Sequence, residues 1–179
     1  MTVIVLDRDG VINTDSDEYV KSADEWQPIP GSINAIAELC EAGYTVTVAT
    51  NQSGLGRGLF GVDALEAMHS KMRDLVEDAG GVITMIAFCP HTPQDQCACR
   101  KPGIGLLQSI HAEFPLDPDT TWMVGDTDKD IQAATRMGIR SALVETGKGE
   151  TMLASGRVSR ETTPVFANLA QFTQWLLAS

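Results

Sequence analysis

The apolar positions of the chain follow two periodicities in turn, and their order predicts a parallel α/β sheet. Short apolar, β-branched runs predict strands at residues 2–6, 44–49, 82–88, 120–125 and 140–144. Apolar residues at helical spacing predict helices at residues 32–42, 62–79, 103–114, 129–137 and 165–178. Strands that alternate with helices in this way build a Rossmann-like, three-layer αβα fold with a parallel central sheet.

Two polar stretches interrupt this alternation. Residues 13–30 follow the first strand, and the Gly-rich residues 146–163 follow the last one, so both are predicted to be loops. No repeat or inter-domain linker is evident, and a chain of 179 residues suits one domain over residues 1–179. Nothing in the pattern leaves room for a large cap domain.

Composition and charge narrow the possible partners. Hydrophobic residues make up 43% of the chain and the mean hydropathy is −0.04, values typical of a soluble globular protein. No apolar run approaches the ~20 residues of a membrane span, and the first residues resemble no secretory signal, so we expect a cytoplasmic protein without a membrane partner. Without an interface to read, a monomer is the default expectation. The net charge of −11 argues against a nucleic-acid partner.

A few cations lie in or beside polar motifs of this acidic chain. They are Arg8, Arg57, Arg100 and Lys101. Local positive charge in an acidic protein favours a small anionic substrate, although scattered surface cations would give the same count.

The first strand ends in Asp7-Arg8-Asp9-Gly10, which places two carboxylates at the carboxyl edge of the predicted sheet. Open α/β sheets carry their chemistry at that edge. One acid could act as nucleophile and metal ligand while the other donates a proton. A simple turn capped by aspartate is the alternative.

Further polar motifs end the second and fourth strands. Thr50 and Asn51 supply a hydroxyl group and loop amides that could bind phosphoryl oxygens, and Asp126 precedes Asp130 by four residues. Carboxylates from separate strands form an oxygen-rich site that suits Mg²⁺. Taken alone, Asp126 could be an ordinary helix N-terminal residue.

After the third strand, Arg100-Lys101-Pro102 is predicted to open the next helix, where an anion would bind well. A solvated basic turn is the alternative.

Cysteine and histidine residues cluster between the third strand and this basic turn. The cluster consists of Cys89, His91, Cys97 and Cys99. In a reducing compartment such a cluster predicts a metal site rather than disulfides, and Cys₃His is a standard tetrahedral zinc set. A site without an open position would be structural and would pin residues 89–99 as a zinc loop. Buried free thiols are the alternative.

Taken in order, these motifs resemble the haloacid dehalogenase-like phosphatase superfamily over most of the chain. The resemblance implies that Asp7 attacks phosphorus, and that Asp9 protonates the leaving oxygen and later activates water. It also implies that Mg²⁺ is held by Asp7, Asp126 and the Asp9 carbonyl oxygen. Thr50 and Lys101 would stabilise the transferring phosphoryl group.

The cysteine-rich motif over residues 89–102 resembles a subgroup of phosphatases that act on heptose 1,7-bisphosphate or on histidinol phosphate. Residues 13–19, 25–31, 50–58 and 146–149 resemble the heptose branch. That branch implies removal of the C7 phosphate in nucleotide-heptose synthesis for the lipopolysaccharide core. Histidinol phosphate is the alternative substrate.

The loops must then shape specificity for a small phosphorylated sugar. The predicted substrate-binding residues are Asp15, Asp17, Glu18, Asn51, Gln52, Ser53, Arg57 and Arg100. The acidic side chains suit sugar hydroxyls, and the arginines suit a second phosphate. The same acidic loop could bind the amine and imidazole of histidinol phosphate, or could simply be solvated.

Overall fold

One sheet of six parallel strands organises the computed structural model, which describes residues 1–179. The strands are β1 (Thr2–Leu6), β2 (Tyr44–Asn51), β3 (Ile83–Cys89), β4 (Trp122–Gly125), β5 (Arg140–Val144) and β6 (Val165–Phe166). Their order is β3-β2-β1-β4-β5-β6. Leu6 at the end of β1 pairs with Val48 and Val124, so the central strands finish at a common edge. The prediction of a parallel α/β fold is confirmed.

Seven helices cover the two faces of this sheet. They are α1 (Ser32–Glu41), α2 (Ser53–Gly56), α3 (Val62–Asp78), α4 (Gly105–Glu113), α5 (Asp128–Met137), α6 (Gly149–Ala154) and α7 (Leu169–Leu177). Buried residues of α1, α3 and α7 pack on one face of the sheet, and those of α4 and α5 pack on the other. No helix combines the length and the apolar character that a membrane crossing requires.

Side chains of β1 alternate between the two faces, as the pleat of a strand dictates. Ile4 and Leu6 belong to the cluster under α1 and α3, whereas Val3 and Val5 belong to the cluster under α4. All four are fully buried, and each contributes roughly 1.5–3 kcal/mol of hydrophobic stabilisation. The central strand is therefore fixed from both sides, which makes its carboxyl end a rigid support for Asp7.

Two predictions for the last third of the chain are wrong. The stretch predicted as a loop contains α6, because Met152 is buried against Leu143 and Val158 in a small separate cluster. The final helix begins at Leu169 rather than at residue 165, since Val165–Phe166 extends the sheet as β6 and Asn168 caps the helix through a hydrogen bond from the Gln171 amide.

Candidate active site

Carboxylates from two strand ends and one helix meet at the carboxyl edge of the sheet. Asp7 follows β1, Asp126 follows the neighbouring strand β4, and Asp130 lies in the first turn of α5. One oxygen of each lies within 4.8 Å of the others. Asp130 is further fixed because it accepts hydrogen bonds from the backbone nitrogen and the hydroxyl group of Thr127, at 3.1 and 2.9 Å.

The electrostatics of this cluster favour a bound cation. Burial raises the pKa of Asp7 to about 7, against the lowering effect of Lys101 and with a further rise from Asp130. Burial, followed by the charges of Asp7 and Asp130, raises the pKa of Asp126 to about 8. Crowded, desolvated carboxylates of this kind are the hard oxygen ligands that Mg²⁺ prefers, so these residues fit the metal.

Lys101 is the buried cation beside Asp7 and Asp130. Its Nζ lies 2.6 Å from Oδ1 of Asp130 and 3.0 Å from Oδ1 of Asp7, and its side chain is 2% exposed. Burial lowers the pKa of Lys101, but the two carboxylates outweigh this effect and raise it above its ordinary value, so the side chain stays charged.

The expected helix start at Arg100-Lys101-Pro102 is wrong. The helix α4 begins at Gly105, because two backbone hydrogen bonds close turns before it: Gly103 donates to the Arg100 carbonyl and Gly105 donates to the Ala98 carbonyl. Lys101 therefore reaches the carboxylates from a turn.

Asp9 is held by hydrogen bonds from three side chains. The Nη2 of Arg8 donates to both carboxylate oxygens at 2.9 and 3.1 Å, Asn13 donates at 2.9 Å, and Gln52 donates at 2.7 Å. Burial alone would raise the pKa of Asp9, but the Arg8 charge and these hydrogen bonds outweigh it and lower the pKa. The sequence placed Arg8 among the cations that favour an anionic substrate. The structure instead buries Arg8 fully, and its positive charge is paired with Asp9.

Thr50 and Asn51 end β2 beside this group. Thr50 is fully buried, and its hydroxyl oxygen accepts a hydrogen bond from the Gln52 amide at 2.9 Å. Asn51 binds the backbone of Lys101. The two residues therefore connect the second strand to the groups that surround Asp7 and Asp9.

A cleft of about 230 Å³ opens above these groups. Of the predicted substrate-binding residues, it is lined by Asp15, Asp17, Asn51, Gln52, Ser53 and Arg100. The structure does not bring Glu18 or Arg57 into the cleft: Glu18 is exposed, and the exposed Arg57 lies over the ring of Tyr19, 5.9 Å from its centroid.

Two lysines that the sequence reasoning did not single out also line the cleft. Burial and the charges of Arg100 and Lys148 lower the pKa of Lys129. The Nζ of Lys148 lies 3.5 Å from Oδ2 of Asp15. Arg100 has a buried Nη1 without a hydrogen-bond partner. Lys129 is the second residue of α5, and Lys148 lies between Gly147 and Gly149, and these positions were the available signals in the sequence.

The stretch before α6 closes over Asp126 and the turn after β1. The hydroxyl group of Thr146 donates to the Gly10 carbonyl at 2.7 Å, and the backbone nitrogen of Lys148 donates to Oδ2 of Asp126 at 2.9 Å. Gly147 lies between them at φ +61°, and an added Cβ would overlap Asp126 and Gly10. Only glycine fits this close approach.

Sulfur and nitrogen atoms of the predicted zinc loop converge. Cys99 lies 2.9 Å from Cys89, 3.5 Å from Cys97 and 3.2 Å from the His91 Nδ1, and Cys89 lies 3.5 Å from both Cys97 and His91. A tetrahedral zinc ion with Zn–S bonds of about 2.3 Å separates its sulfur ligands by ~3.8 Å, so the four residues fit such an ion. The backbone nitrogen of Arg100 donates to Cys97 at 3.4 Å, which ties the loop to the cleft.

Comparisons with known proteins agree with this geometry. A HAD-hydrolase-like family model matches residues 98–172. A D-glycero-beta-D-manno-heptose-1,7-bisphosphate 7-phosphatase of Neisseria meningitidis is 51% identical over 178 residues, which cover 99% of this chain and 95% of the relative. A Pseudomonas aeruginosa protein of the same name is 48% identical over 176 residues, 98% of each chain.

Solved structures agree as well. The crystal structure of the D,D-heptose 1,7-bisphosphate phosphatase from B. bronchiseptica, complexed with magnesium and phosphate, has a TM-score of 0.95 at 48% identity and covers 99% of both chains. The corresponding structure from Burkholderia thailandensis has a TM-score of 0.78 at 41% identity over 100% of both chains. The chain therefore belongs to the family of D-glycero-β-D-manno-heptose-1,7-bisphosphate 7-phosphatases, within the HAD-like hydrolases.

Proposed function

We propose that this protein is a magnesium-dependent phosphatase that removes the C7 phosphate of D-glycero-β-D-manno-heptose 1,7-bisphosphate. The observation that carries the proposal is the convergence of Asp7, Asp126, Asp130 and Lys101 at one sheet edge, in a chain about half identical to phosphatases named for that substrate. The reaction would serve nucleotide-heptose synthesis for lipopolysaccharide.

Magnesium would be held by Asp7, Asp126 and the backbone carbonyl oxygen of Asp9. Both oxygens of Asp130 are already engaged, one by Lys101 and the other by Thr127, so Asp130 supports Lys101 rather than the metal. Oδ2 of Asp7 and Oδ1 of Asp126 have no hydrogen-bond partner and are available as ligands. When bound, the ion neutralises phosphate charge and orients the phosphoryl group.

Asp7 is the nucleophile of the proposed reaction. A carboxylate oxygen of Asp7 forms a bond to phosphorus as the bond from phosphorus to the C7 oxygen breaks, which leaves an aspartyl phosphate that water then hydrolyses. Lys101 faces the same centre and stabilises negative charge on the transferring group. Thr50, buried beneath the cleft, supports the Gln52 amide beside it.

Asp9 is the acid and base of this mechanism. Its hydrogen bonds to Arg8, Asn13 and Gln52 hold it as a carboxylate, the form that activates water in the second step. A phosphate dianion in the cleft raises the proton affinity of Asp9 by like-charge repulsion, which supplies the acid for the first step.

The cleft also suits the second phosphate of the substrate. Arg100 offers a buried, unpartnered Nη1, and Lys129 and Lys148 add positive charge around it. Asp15 and Asp17 supply acceptors for sugar hydroxyls. Three cations disfavour histidinol phosphate, whose non-phosphate end carries an amine, so the sugar bisphosphate is the preferred substrate.

The test is phosphate release from both anomers of heptose 1,7-bisphosphate and from histidinol phosphate, with Mg²⁺ and with EDTA. We expect Mg²⁺-dependent release with the highest kcat/KM on the β anomer, and none from Asp7→Asn. Preference for histidinol phosphate would overturn the substrate, and turnover by Asp7→Asn would overturn the mechanism.

Three further features complete the proposal. Residues 1–179 act as a single phosphatase domain, the zinc loop is structural, and the protein works as a cytoplasmic monomer. Light scattering measures the molecular mass in solution, which is 19.2 kDa for a monomer. Metal analysis measures the zinc content per chain.

A further inference from the structure

A buried guanidinium group connects the cleft to α3. Arg8 lies between Asp7 and Asp9 in the sequence and is fully buried. Its Nη2 donates to both oxygens of Asp9 and lies 3.2 Å from Oε1 of Gln52. Together with Asn13 and Gln52, this nitrogen orients the Asp9 carboxylate.

The other terminal nitrogen of Arg8 meets a histidine that no strand-end motif contains. Nη1 of Arg8 lies 3.3 Å from Nε2 of His69, which comes from the middle of α3. His69 is 2% exposed, and its ring packs near Phe88 with centroids 6.2 Å apart. A polar side chain that is so deeply buried needs a partner, and Arg8 is that partner.

The direction of this contact is fixed by chemistry. A guanidinium group has donors only, so Nε2 of His69 must accept and the ring proton must lie on Nδ1. Burial, followed by the positive charges of Arg8 and Arg73, lowers the pKa of His69 to about 3, against the opposing charge of Asp9. The ring is therefore neutral at neutral pH, and its Nε2 is available as an acceptor.

His69 is the acceptor that the guanidinium plane would otherwise lack. Nε of Arg8 has no hydrogen-bond partner, so the group is fixed at Nη2 by Asp9 and Gln52 and at Nη1 by His69 alone. Without His69 the plane can rotate about its contact with Asp9. Proton transfer needs a donor within about 2.6–3.2 Å of the accepting atom, so such rotation would impair the acid step.

We propose that His69 is a positioning residue for Asp9: it fixes the guanidinium plane of Arg8 and thereby aims the Asp9 carboxylate at the leaving oxygen. The proposal rests on the proposed function, since it assigns His69 to the acid step of that reaction. His69 touches no substrate, so it acts on kcat rather than on KM.

Two substrates separate this role from a merely structural one. The sugar bisphosphate leaves as an alkoxide that needs a proton, whereas p-nitrophenyl phosphate leaves as a phenolate that departs without one. For His69→Leu we expect kcat on the sugar bisphosphate to fall about 10–100-fold, within the range of general acid catalysis. The kcat on p-nitrophenyl phosphate, which needs Asp9 only as the base of the second step, should fall less, so the ratio of the two kcat values drops. KM stays near the wild-type value.

Three more variants complete the test. His69→Gln retains an acceptor oxygen and should restore most of the rate on the sugar substrate. Met72→Ala, one turn further along α3 and fully buried, is the matched control, because it loosens the same helix without removing an acceptor and should affect both substrates alike. If His69→Leu does not fold, His69→Asn, whose amide is too short to reach Arg8, takes its place.

The outcomes distinguish the two proposals. The positioning role is overturned if His69→Leu or His69→Asn keeps the wild-type ratio of the two kcat values. It is also overturned if Met72→Ala changes that ratio as much as the His69 variants do. Wild-type enzyme without Mg²⁺-dependent turnover of either substrate would instead overturn the proposed function.

Discussion

The side-chain amide of Asn51 holds the backbone of Lys101 at both of its polar groups. Its Oδ1 accepts a hydrogen bond from the Lys101 nitrogen at 2.9 Å, and its Nδ2 donates to the Lys101 carbonyl at 3.1 Å. Asn51 ends β2, whereas Lys101 follows the zinc loop, so this pair joins the sheet to the turn that carries Lys101.

Replacing Asn51 should therefore impair catalysis through Lys101. In Asn51→Ala both hydrogen bonds are lost, and we expect kcat to fall roughly 10–100-fold because the ammonium group leaves its position beside Asp7. The free energy of unfolding should fall by about 1–3 kcal/mol. Steady-state kinetics and urea denaturation measure the two effects. Asn51→Asp keeps only the acceptor and should be intermediate; wild-type kcat in Asn51→Ala would show that Lys101 is held by other contacts.

Loss of zinc should act on the same lysine. In Cys97→Ser one of the four proposed zinc ligands is weakened and the acceptor of the Arg100 nitrogen is changed. We expect loss of zinc, a lower melting temperature and a lower kcat with little change in Mg²⁺ affinity. Metal analysis and thermal denaturation check this. Cys40→Ser, outside the cluster, is the control, and unchanged zinc content in Cys97→Ser would remove the zinc assignment.

Strand ends made part of this site predictable. Asp7 and Asp126 follow adjacent parallel strands, and the register that pairs Leu6 with Val124 brings them together without any detail of packing. The positions of Lys101 and Asp130 depend instead on where α4 and α5 begin, and the expected helix start near Lys101 was wrong because turns precede α4.

Other contacts could not be derived from periodicity. The backbone nitrogen of Lys148 contacts Asp126 from a stretch predicted as a loop. His69 contacts Arg8 from a helix face whose sequence pattern is typical of ordinary core. Both contacts join residues that are far apart in the sequence. They depend on tertiary packing, which a local hydrophobic pattern does not predict. The same limit hid α6, whose burial depends on Leu143.

The glycine that lies against Asp126 offers a sharp test of the metal site. Gly147→Ala introduces a Cβ that overlaps the Asp126 carboxylate and the Gly10 backbone, at a positive φ that alanine disfavours. We expect Mg²⁺ affinity to fall about tenfold or more as Asp126 is displaced. Isothermal titration calorimetry measures the affinity. Gly156→Ala, also at positive φ but with no atom near the added Cβ, controls for backbone strain, and equal affinities in the two variants would count against the role of Gly147.

Magnesium binding should depend on pH in the neutral range. Without metal, burial and the charges of neighbouring carboxylates raise the pKa values of Asp7 and Asp126 to about 7 and about 8. Protons therefore compete with the ion below these values, and binding releases them. We expect affinity to rise from about pH 6 and to level off only above about pH 8, once Asp126 is ionised, with proton release largest at the acidic end. Calorimetry in buffers of different ionisation enthalpy measures both. An affinity independent of pH would mean that the carboxylates are already ionised.

His69 should make the folded state sensitive to acid. Its pKa is about 3 in the folded protein, below the ordinary 6.5, so the unfolded chain takes up a proton first as pH falls. The stability that depends on neutral His69 is complete above about 6.5 and is lost as pH falls towards 3, by up to about 1.4 kcal/mol per pH unit. In His69→Gln this contribution is absent, whereas that of Asp9 remains. Urea denaturation at about pH 7 and about pH 4 should therefore show wild-type stability falling more steeply than that of the variant. Parallel losses in the two proteins would mean that His69 is protonated in the folded state, and Arg8 would then face a second cation instead of an acceptor.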